Sequence, residues 1–171
     1  RSELVAVPAG SGMERGVWLD ATGNRLDAQF GDGCWWIEVP DVPAMGMAGI
    51  SFEPSGRDAP GGTENVFKYA GTSLETPFYT LRWNGHGRLT ELYDKRSGRQ
   101  VLAPGAEGNA LQVFEDKPKG RHEAWDIDIF YQEKMELVND LVSAAPILVG
   151  PLVFAVRFEW RYRRSAIVQD M

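Results

Sequence analysis

The sequence predicts an all-β protein, and three features of its pattern carry that prediction. The chain of 171 residues contains 19 glycines and 10 prolines, which divide it into short segments. No stretch sustains an apolar repeat of helical period over three turns. Apolar residues at positions 152, 154, 156, 158, 160 and 162 instead alternate with the residues between them, which is typical of a strand with one buried face. These features together favour an antiparallel β-sandwich.

Four short strands are predicted near the start of the chain, and we expect them to form one small sheet. They cover residues 16–20, a segment ending at Phe30, residues 34–39 and about residues 47–52. Glycine-containing turns separate the first three strands. From 53 to 65 the sequence is rich in proline, glycine and serine, which is typical of a linker or an exposed loop. We therefore predict a small β-sandwich domain over 1–53 and a linker over 54–73.

The rest of the chain predicts a second, larger β domain. Residues 78–83 and 88–93 flank Asn84-Gly85, a pair that supplies the positive backbone angles of a tight hairpin turn. The alternating run over 152–163 predicts a long strand, with 137–149 as its antiparallel partner. Another strand begins at about 165–168, and a sheet that ended there would leave an open edge. We therefore expect a fragment in which 74–171 form the first part of a larger β-sandwich domain.

Charge and composition argue against several classes of partner. The net charge of -6 disfavours nucleic acid and anionic membranes, which need concentrated lysine and arginine. The one basic cluster, Arg161, Arg163 and Arg164, is interpreted as a solvated strand face. No apolar run approaches the roughly 18 to 20 residues that cross a bilayer. The single cysteine, Cys34, fits a reducing compartment, so we predict a cytoplasmic location.

Motifs for metal binding or catalysis do not emerge from the sequence. The two histidines, His86 and His122, are far apart, and no spacing of histidine, cysteine and carboxylate residues suggests a metal site. A Gly-x-Ser-x-Gly nucleophile motif and a phosphate-binding glycine loop are both missing from these residues. We therefore assign no catalytic residue and no metal ligand.

One stretch combines acids with aromatic rings and is the candidate binding site. Sugar recognition uses such a combination, because carboxylates accept hydrogen bonds from hydroxyls and flat rings cover the apolar faces of a pyranose. The candidate residues are Asp116, Trp125, Asp126 and Asp128. On a strand, Asp126 and Asp128 would lie about 6 to 7 Å apart, near the spacing of an inverting glycosidase pair. Any Asp-x-Asp pair on a strand has this spacing, however, so the sequence does not favour a catalytic pair.

A structural interpretation of the same stretch competes with sugar binding. In that case Trp125 and Phe130 belong to the core, and the acids cap turns or pair with Lys117, Arg121 or Lys134.

The same stretch resembles a known enzyme family. Residues 109–118 (NALQVFEDKP) and 124–131 (AWDIDIFY) are similar to the C-terminal β region of glycoside hydrolase family 38 α-mannosidases, in the branch with cytosolic, vacuolar and many bacterial enzymes. Residues 87–95 and 98–105 resemble the same region, in the same order. Residues 42–46 are similar to the end of the small β domain that precedes it.

The resemblance implies a fold and a function. The larger domain would belong to a galactose-mutarotase-like supersandwich. Hydrolysis of terminal α-D-mannosides in this family is retaining, with an aspartate nucleophile and a zinc ion in an N-terminal catalytic domain. The family's His-x-Asp zinc motif has no match here, so zinc is expected only in that missing domain. The loop over 119–123 is also more charged than is usual in the family.

The predicted partners are accordingly the catalytic domain of the same polypeptide and a mannose-containing oligosaccharide. The fragment alone is expected to be inactive, with Asp116, Trp125, Asp126 and Asp128 facing the substrate cleft of the parent enzyme. A stand-alone carbohydrate-binding module and a purely structural interaction domain are the alternatives.

Overall fold

The structure, a computed structural model, describes residues 2–55, 65–117, 127 and 129–171, and it confirms the all-β prediction. Over these residues the strands, numbered in chain order, are β1 Glu3–Pro8, β2 Gly16–Asp20, β3 Ala28–Gly31, β4 Cys34–Val39, β5 Ile50–Pro54, β6 Lys68–Tyr69, β7 Ser73–Glu75, β8 Tyr79–Trp83, β9 Leu89–Asp94, β10 Arg99–Gln100, β11 Gln112–Phe114, β12 Met135–Leu137, β13 Asp140–Leu148, β14 Ala155–Tyr162 and β15 Ser165–Asp170. A short 3₁₀ helix spans Ile129–Glu133.

The chain divides into two compact units. The first contains residues 1–68 and 146–156, and the second contains residues 69–145 and 157–171. Part of the predicted linker, 56–64, lies outside the described residues, and β6 lies within the remainder of it. The predicted domain boundaries therefore stay a prediction.

The first unit contains two sheets, so the prediction of one small sheet is wrong. Strands β1, β4 and β3 form one sheet in that order, and β2 pairs with β5 in another. The alternation of β4 explains the arrangement, because its buried side chains need a cover on one face. Trp18 of β2 and Phe52 of β5 supply it, with ring centroids 6.4 and 5.8 Å from that of Trp35. Pairing of β2 with β3 in one sheet would leave this face open to water.

The alternating run near the C-terminus forms β14 as predicted, but the strand begins three residues later than expected. Leu152 and Val153 donate their backbone N–H groups to Oε1 of Gln29, at 3.0 and 2.9 Å. Nε2 of Gln29 donates in return to the carbonyl of Val153 at 2.9 Å. Gln29 is 6% exposed. Because a side chain already satisfies these backbone groups, they are not available to a strand ladder.

The second unit contains a five-stranded sheet in the order β10-β9-β8-β7-β6, the two-stranded ribbon β11-β12, and most residues of the sheet β13-β14-β15. Its core contains Trp83 of β8 and Phe158 of β14, whose ring centroids lie 5.3 Å apart. Trp160 stacks on Phe158 at 5.5 Å and donates its indole N–H to the carbonyl of His86 at 2.8 Å. The predicted partner of the long strand, β13, is its neighbour in the sheet, and β15 follows it as predicted.

The hairpin of β8 and β9 forms as predicted, but its turn uses a different residue for the positive backbone angle. Gly87, with φ 75°, adopts that conformation instead of Asn84 or Gly85. The side chain of Asn84 accepts hydrogen bonds from the backbone N–H groups of His86 (2.9 Å) and Arg88 (3.2 Å). Asn84 therefore shapes the turn through its amide oxygen and not through a left-handed backbone.

Candidate functional site

The β11-β12 ribbon holds both ends of the loop that carries the predicted sugar-contact residues. Gln112 pairs with Leu137, and Phe114 pairs with Met135, in antiparallel register. The ladder continues one step further, because the backbone N–H of Glu115 donates to the carbonyl of Lys134 at 3.1 Å. Residues 116–133 therefore leave the ribbon at one end and return to it at the same end.

Of the four predicted contact residues, the structure describes one. Asp116 lies two residues beyond β11 and is exposed. Trp125, Asp126 and Asp128 lie outside the described residues, so their meeting with Asp116, and any contact with sugar, stays a prediction. Asp116 is close in sequence to a cleft at the loop's base that the sequence did not predict.

The loop returns to the ribbon through the 3₁₀ helix, whose apolar residues face water. Ile129 is 79% exposed and Phe130 is 45% exposed. The expectation that Phe130 belongs to the core is therefore wrong. The 3₁₀ helix has five residues, and none of them is buried. Ile127, just before it, is also exposed.

A cleft of about 160 Å³ opens where the ribbon lies beside the end of β14. We call it the ribbon cleft and define it by the residues that line it and carry its chemistry: Phe114, Glu115, Lys134, Glu136, Tyr162 and Arg163. All six belong to the second unit. The cleft therefore combines two carboxylates, two cations, a phenol and an aromatic ring.

Glu136 is held on one side of the ribbon cleft by the end of β14. The hydroxyl of Tyr162 donates to Oε2 of Glu136 at 2.8 Å. Nη2 of Arg163 lies 3.0 Å from Oε1 and 3.2 Å from Oε2. The Tyr162 hydrogen bond, followed by the charge of Arg163, lowers the pKa of Glu136. The same hydrogen bond raises the pKa of Tyr162, so the phenol stays protonated and donating at neutral pH.

Glu115 is held at the base of the loop by two lysines. Oε2 of Glu115 lies 3.0 Å from Nζ of Lys134 and 3.3 Å from Nζ of Lys117. Hydrogen bonds from Lys134 and then Lys117 lower the pKa of this carboxyl. The sequence had offered both lysines as partners for the loop aspartates, but in the described part of the chain Glu115 binds them.

The geometry assigns the ribbon cleft a binding role in preference to acid–base chemistry. Both carboxylates are ionised at neutral pH and accept hydrogen bonds, while Lys134, Arg163 and Tyr162 donate them. Phe114 adds an aromatic ring, which Tyr131 contacts in a T-shaped arrangement with centroids 5.2 Å apart. Sequence reasoning missed the cleft, although the charged and apolar alternation from Lys134 to Leu137 was a signal for a half-solvated strand.

Two properties of the described residues concern metal ions and membranes. Within the ranges that the structure describes, no three histidine, cysteine or carboxylate residues come close enough together to hold a metal ion. Over the same ranges, no helix has the length and apolar character needed to cross a bilayer.

The described residues form an all-β chain with a polar cleft that has an aromatic wall, and both features are compatible with carbohydrate binding. Comparison with protein families identifies the family. The family model "Glycosyl hydrolases family 38 C-terminal domain" matches residues 74–171, more than half of the chain. The chain therefore belongs to glycoside hydrolase family 38, which confirms the resemblance seen in the sequence. A search of curated proteins gave no match.

Proposed function

We propose that this chain is the non-catalytic β part of an α-mannosidase of the cytosolic-type branch. In this proposal the parent enzyme hydrolyses terminal α-D-mannosides with retention, and the present residues support its N-terminal catalytic domain and line one wall of the substrate cleft. The family match over 74–171 and the ribbon that carries the 116–133 loop support the proposal. A cytoplasmic location belongs to the same proposal.

The residues present do not fit the zinc ion that the family's chemistry implies. The sequence has no His-x-Asp motif, and among the described residues no suitable set of ligands comes together. No step of catalysis is therefore derived from zinc in this chain. The role of these residues is to bind and orient the substrate.

The observation that carries the proposal is the ribbon that holds both ends of the segment 116–133, through the Glu115–Lys134 backbone hydrogen bond and ion pair. Joining the two ends of a segment lowers the conformational entropy that its backbone can lose on binding. Trp125 and Asp126 of this loop are the residues we propose to contact the mannoside.

Replacement of both residues by alanine in the complete enzyme tests this role. We expect kcat/KM for a chromogenic α-mannoside to fall by about 10-fold or more, because a hydrogen bond to a charged group and a ring contact are lost. Phe78→Ala is the control, since Phe78 is another aromatic residue with a half-exposed side chain (52%), and it lies outside the loop. Unchanged activity of the folded double variant would discard the proposed contact.

The isolated chain gives a second test. With the catalytic machinery in another domain, the 171-residue protein should not hydrolyse the chromogenic α-mannoside. Measurable turnover by the purified chain would contradict the assignment of a non-catalytic role.

A further inference from the structure

The ribbon cleft retains hydrogen-bonding capacity after its internal bonds are counted. An ionised carboxylate has about four acceptor sites. Among the described residues, nothing donates to Oε1 of Glu115, and Oε1 of Glu136 receives one hydrogen bond, from Arg163. Arg163 uses only Nη2 for Glu136, which leaves N–H groups on its other two nitrogens. Lys134 has three N–H donors and binds one carboxylate oxygen.

The charges of the ribbon cleft select the class of ligand. Among the residues that line the cleft, Glu115 and Glu136 are balanced by Lys134 and Arg163, which are paired with them at 3.0 Å in each case. Lys117 also binds Glu115, but it does not line the cleft. An anion or a cation would meet an opposing charge for each favourable one. A neutral ligand that both donates and accepts hydrogen bonds meets no such repulsion, and a polyol has this property.

The size and the aromatic wall of the cleft restrict the class of ligand further. A volume of about 160 Å³ is well below that of a site for a drug-sized ligand, so the cleft holds no more than one ring. Phe114 is 37% exposed and presents an apolar ring at the wall. Pyranose rings combine hydroxyls at their rim with apolar C–H faces, which match these two features.

Arg163 also occupies an unusual backbone conformation. It lies in the turn between β14 and β15 with φ 55°, where glycine or asparagine is favoured. This turn places its guanidinium on Glu136 and over the ring of Tyr162, 5.1 Å from the centroid. Strained non-glycine residues of this kind are found preferentially at functional sites.

We propose that the ribbon cleft binds one neutral pyranose unit through the hydrogen-bonding groups of Glu115, Lys134, Glu136 and Arg163, with Phe114 against a face of the ring. This makes the cleft a saccharide contact in addition to the one proposed for Trp125 and Asp126. The choice of mannose as the sugar rests on the proposed function, whereas the site itself rests on the cleft.

Nuclear magnetic resonance titration of the 171-residue chain with methyl α-D-mannopyranoside tests the site directly. We expect weak binding in the millimolar range, with amide shifts at Phe114, Glu115, Glu136 and Arg163. Glu136→Gln removes the charge that Tyr162 and Arg163 support, and binding should weaken about 10-fold. Lys134→Met is the second variant, since the Lys134 side chain is exposed and its replacement removes a charge of the cleft without changing the core.

Asp170→Asn provides the matched control. Asp170 forms a two-point ion pair with Arg157, at 2.8 Å for each contact, on the same sheet but outside the ribbon cleft. Removal of its charge should leave mannoside binding unchanged. Sodium sulfate should not produce the same amide shifts, because the paired charges of the cleft disfavour an anion.

Any of four results would overturn the inference: absence of shifts at the cleft, shifts confined to other residues, a folded Glu136→Gln variant that binds as tightly as the wild type, or shifts produced by sulfate and not by the mannoside. Failure here is distinguishable from failure of the proposed function. If Trp125 and Asp126 variants lose activity while the cleft binds nothing, only the cleft proposal falls. If the cleft binds the mannoside and the complete protein hydrolyses none, only the proposed function falls.

Discussion

Replacement of Gln29 tests how a buried side chain stabilises the first unit. Its buried amide forms three hydrogen bonds with the backbone of Leu152 and Val153, and it comes from a strand more than a hundred residues earlier in the sequence. A β-carbon on Gly150 would overlap the Gln29 side chain, so the two segments are in close contact. The amide therefore takes the place of a strand partner for this part of the backbone.

The expected loss of stability follows from the three hydrogen bonds that Gln29 forms. Gln29→Met keeps the length of the side chain but loses every hydrogen bond, at about 1 kcal/mol net for each. Leu152 and Val153 are only half-buried, so water can replace part of the loss. We expect the free energy of unfolding to fall by about 2 to 3 kcal/mol. With a typical dependence on denaturant, the urea midpoint of the first unit should drop by about 1 to 2 M.

Urea unfolding and amide hydrogen exchange measure the global and local effects. The amides of Leu152 and Val153 should exchange faster in the variant, since they lose their acceptor. Gln112→Met is the control: Gln112 is exposed, and no described residue bonds its side chain, so stability should change by less than about 0.5 kcal/mol. A Gln29→Met protein as stable as the control, with both amides still protected, would refute the reasoning.

Two further predictions concern a close contact and a titrating turn. Gly87→Ala should lower the free energy of unfolding by about 2 to 4 kcal/mol, because φ 75° disfavours alanine and the new β-carbon would lie 2.6 Å from the Trp160 ring. Gly85→Ala is the control, since its β-carbon would have no atom within 4 Å, and it should change stability little in the same urea experiment. Equal effects of the two substitutions would contradict the role of the Trp160 contact. Hydrogen bonds from the Thr22 hydroxyl and then from the backbone of Asn24 lower the pKa of Asp20 to about 2, from its ordinary value of 3.8. Because the folded pKa is depressed, the stabilisation is complete above pH 3.8 and is lost as pH falls through about 2. Asp20→Ala should therefore lower the melting temperature at pH 7, with the difference from wild type shrinking towards pH 2; a difference independent of pH would exclude this role.

Local patterns predicted individual strands and the pairs of strands that are consecutive in sequence, such as β8-β9 and β13-β14, but not the pairing of strands far apart in sequence. The alternation in β14 was visible because one face contains Val156, Phe158 and Trp160, all buried. The pairing of β2 with β5 was not visible, since the register Trp18–Phe52 joins residues far apart in sequence. The same limit explains the late start of β14, because nothing near Leu152 indicates that Gln29 will bind its backbone.

The same limit applies to the candidate site: its local motif could be predicted, but the cleft formed by distant segments could not. The loop with Asp116 and Trp125 could be found in the sequence because acids and aromatic residues are adjacent there. The ribbon cleft required three separate segments to meet, which bring Glu115, Glu136 and Tyr162 together. Only the β11-β12 register and the position of the β14 end determine that meeting, and neither is a local property of the sequence.

The ion pairs of the ribbon cleft also make its carboxylates unsuited to act as the catalytic acid of a glycosidase. A catalytic acid must hold its proton near neutral pH, which requires a carboxyl with a raised pKa. The pKa of Glu136 is instead lowered by Tyr162 and Arg163, and that of Glu115 is lowered by its two lysines. These carboxylates are suited to accept hydrogen bonds from sugar hydroxyls and unsuited to protonate a leaving group. The electrostatics of the cleft thus favour the proposed binding role of these two carboxylates over that of a catalytic acid.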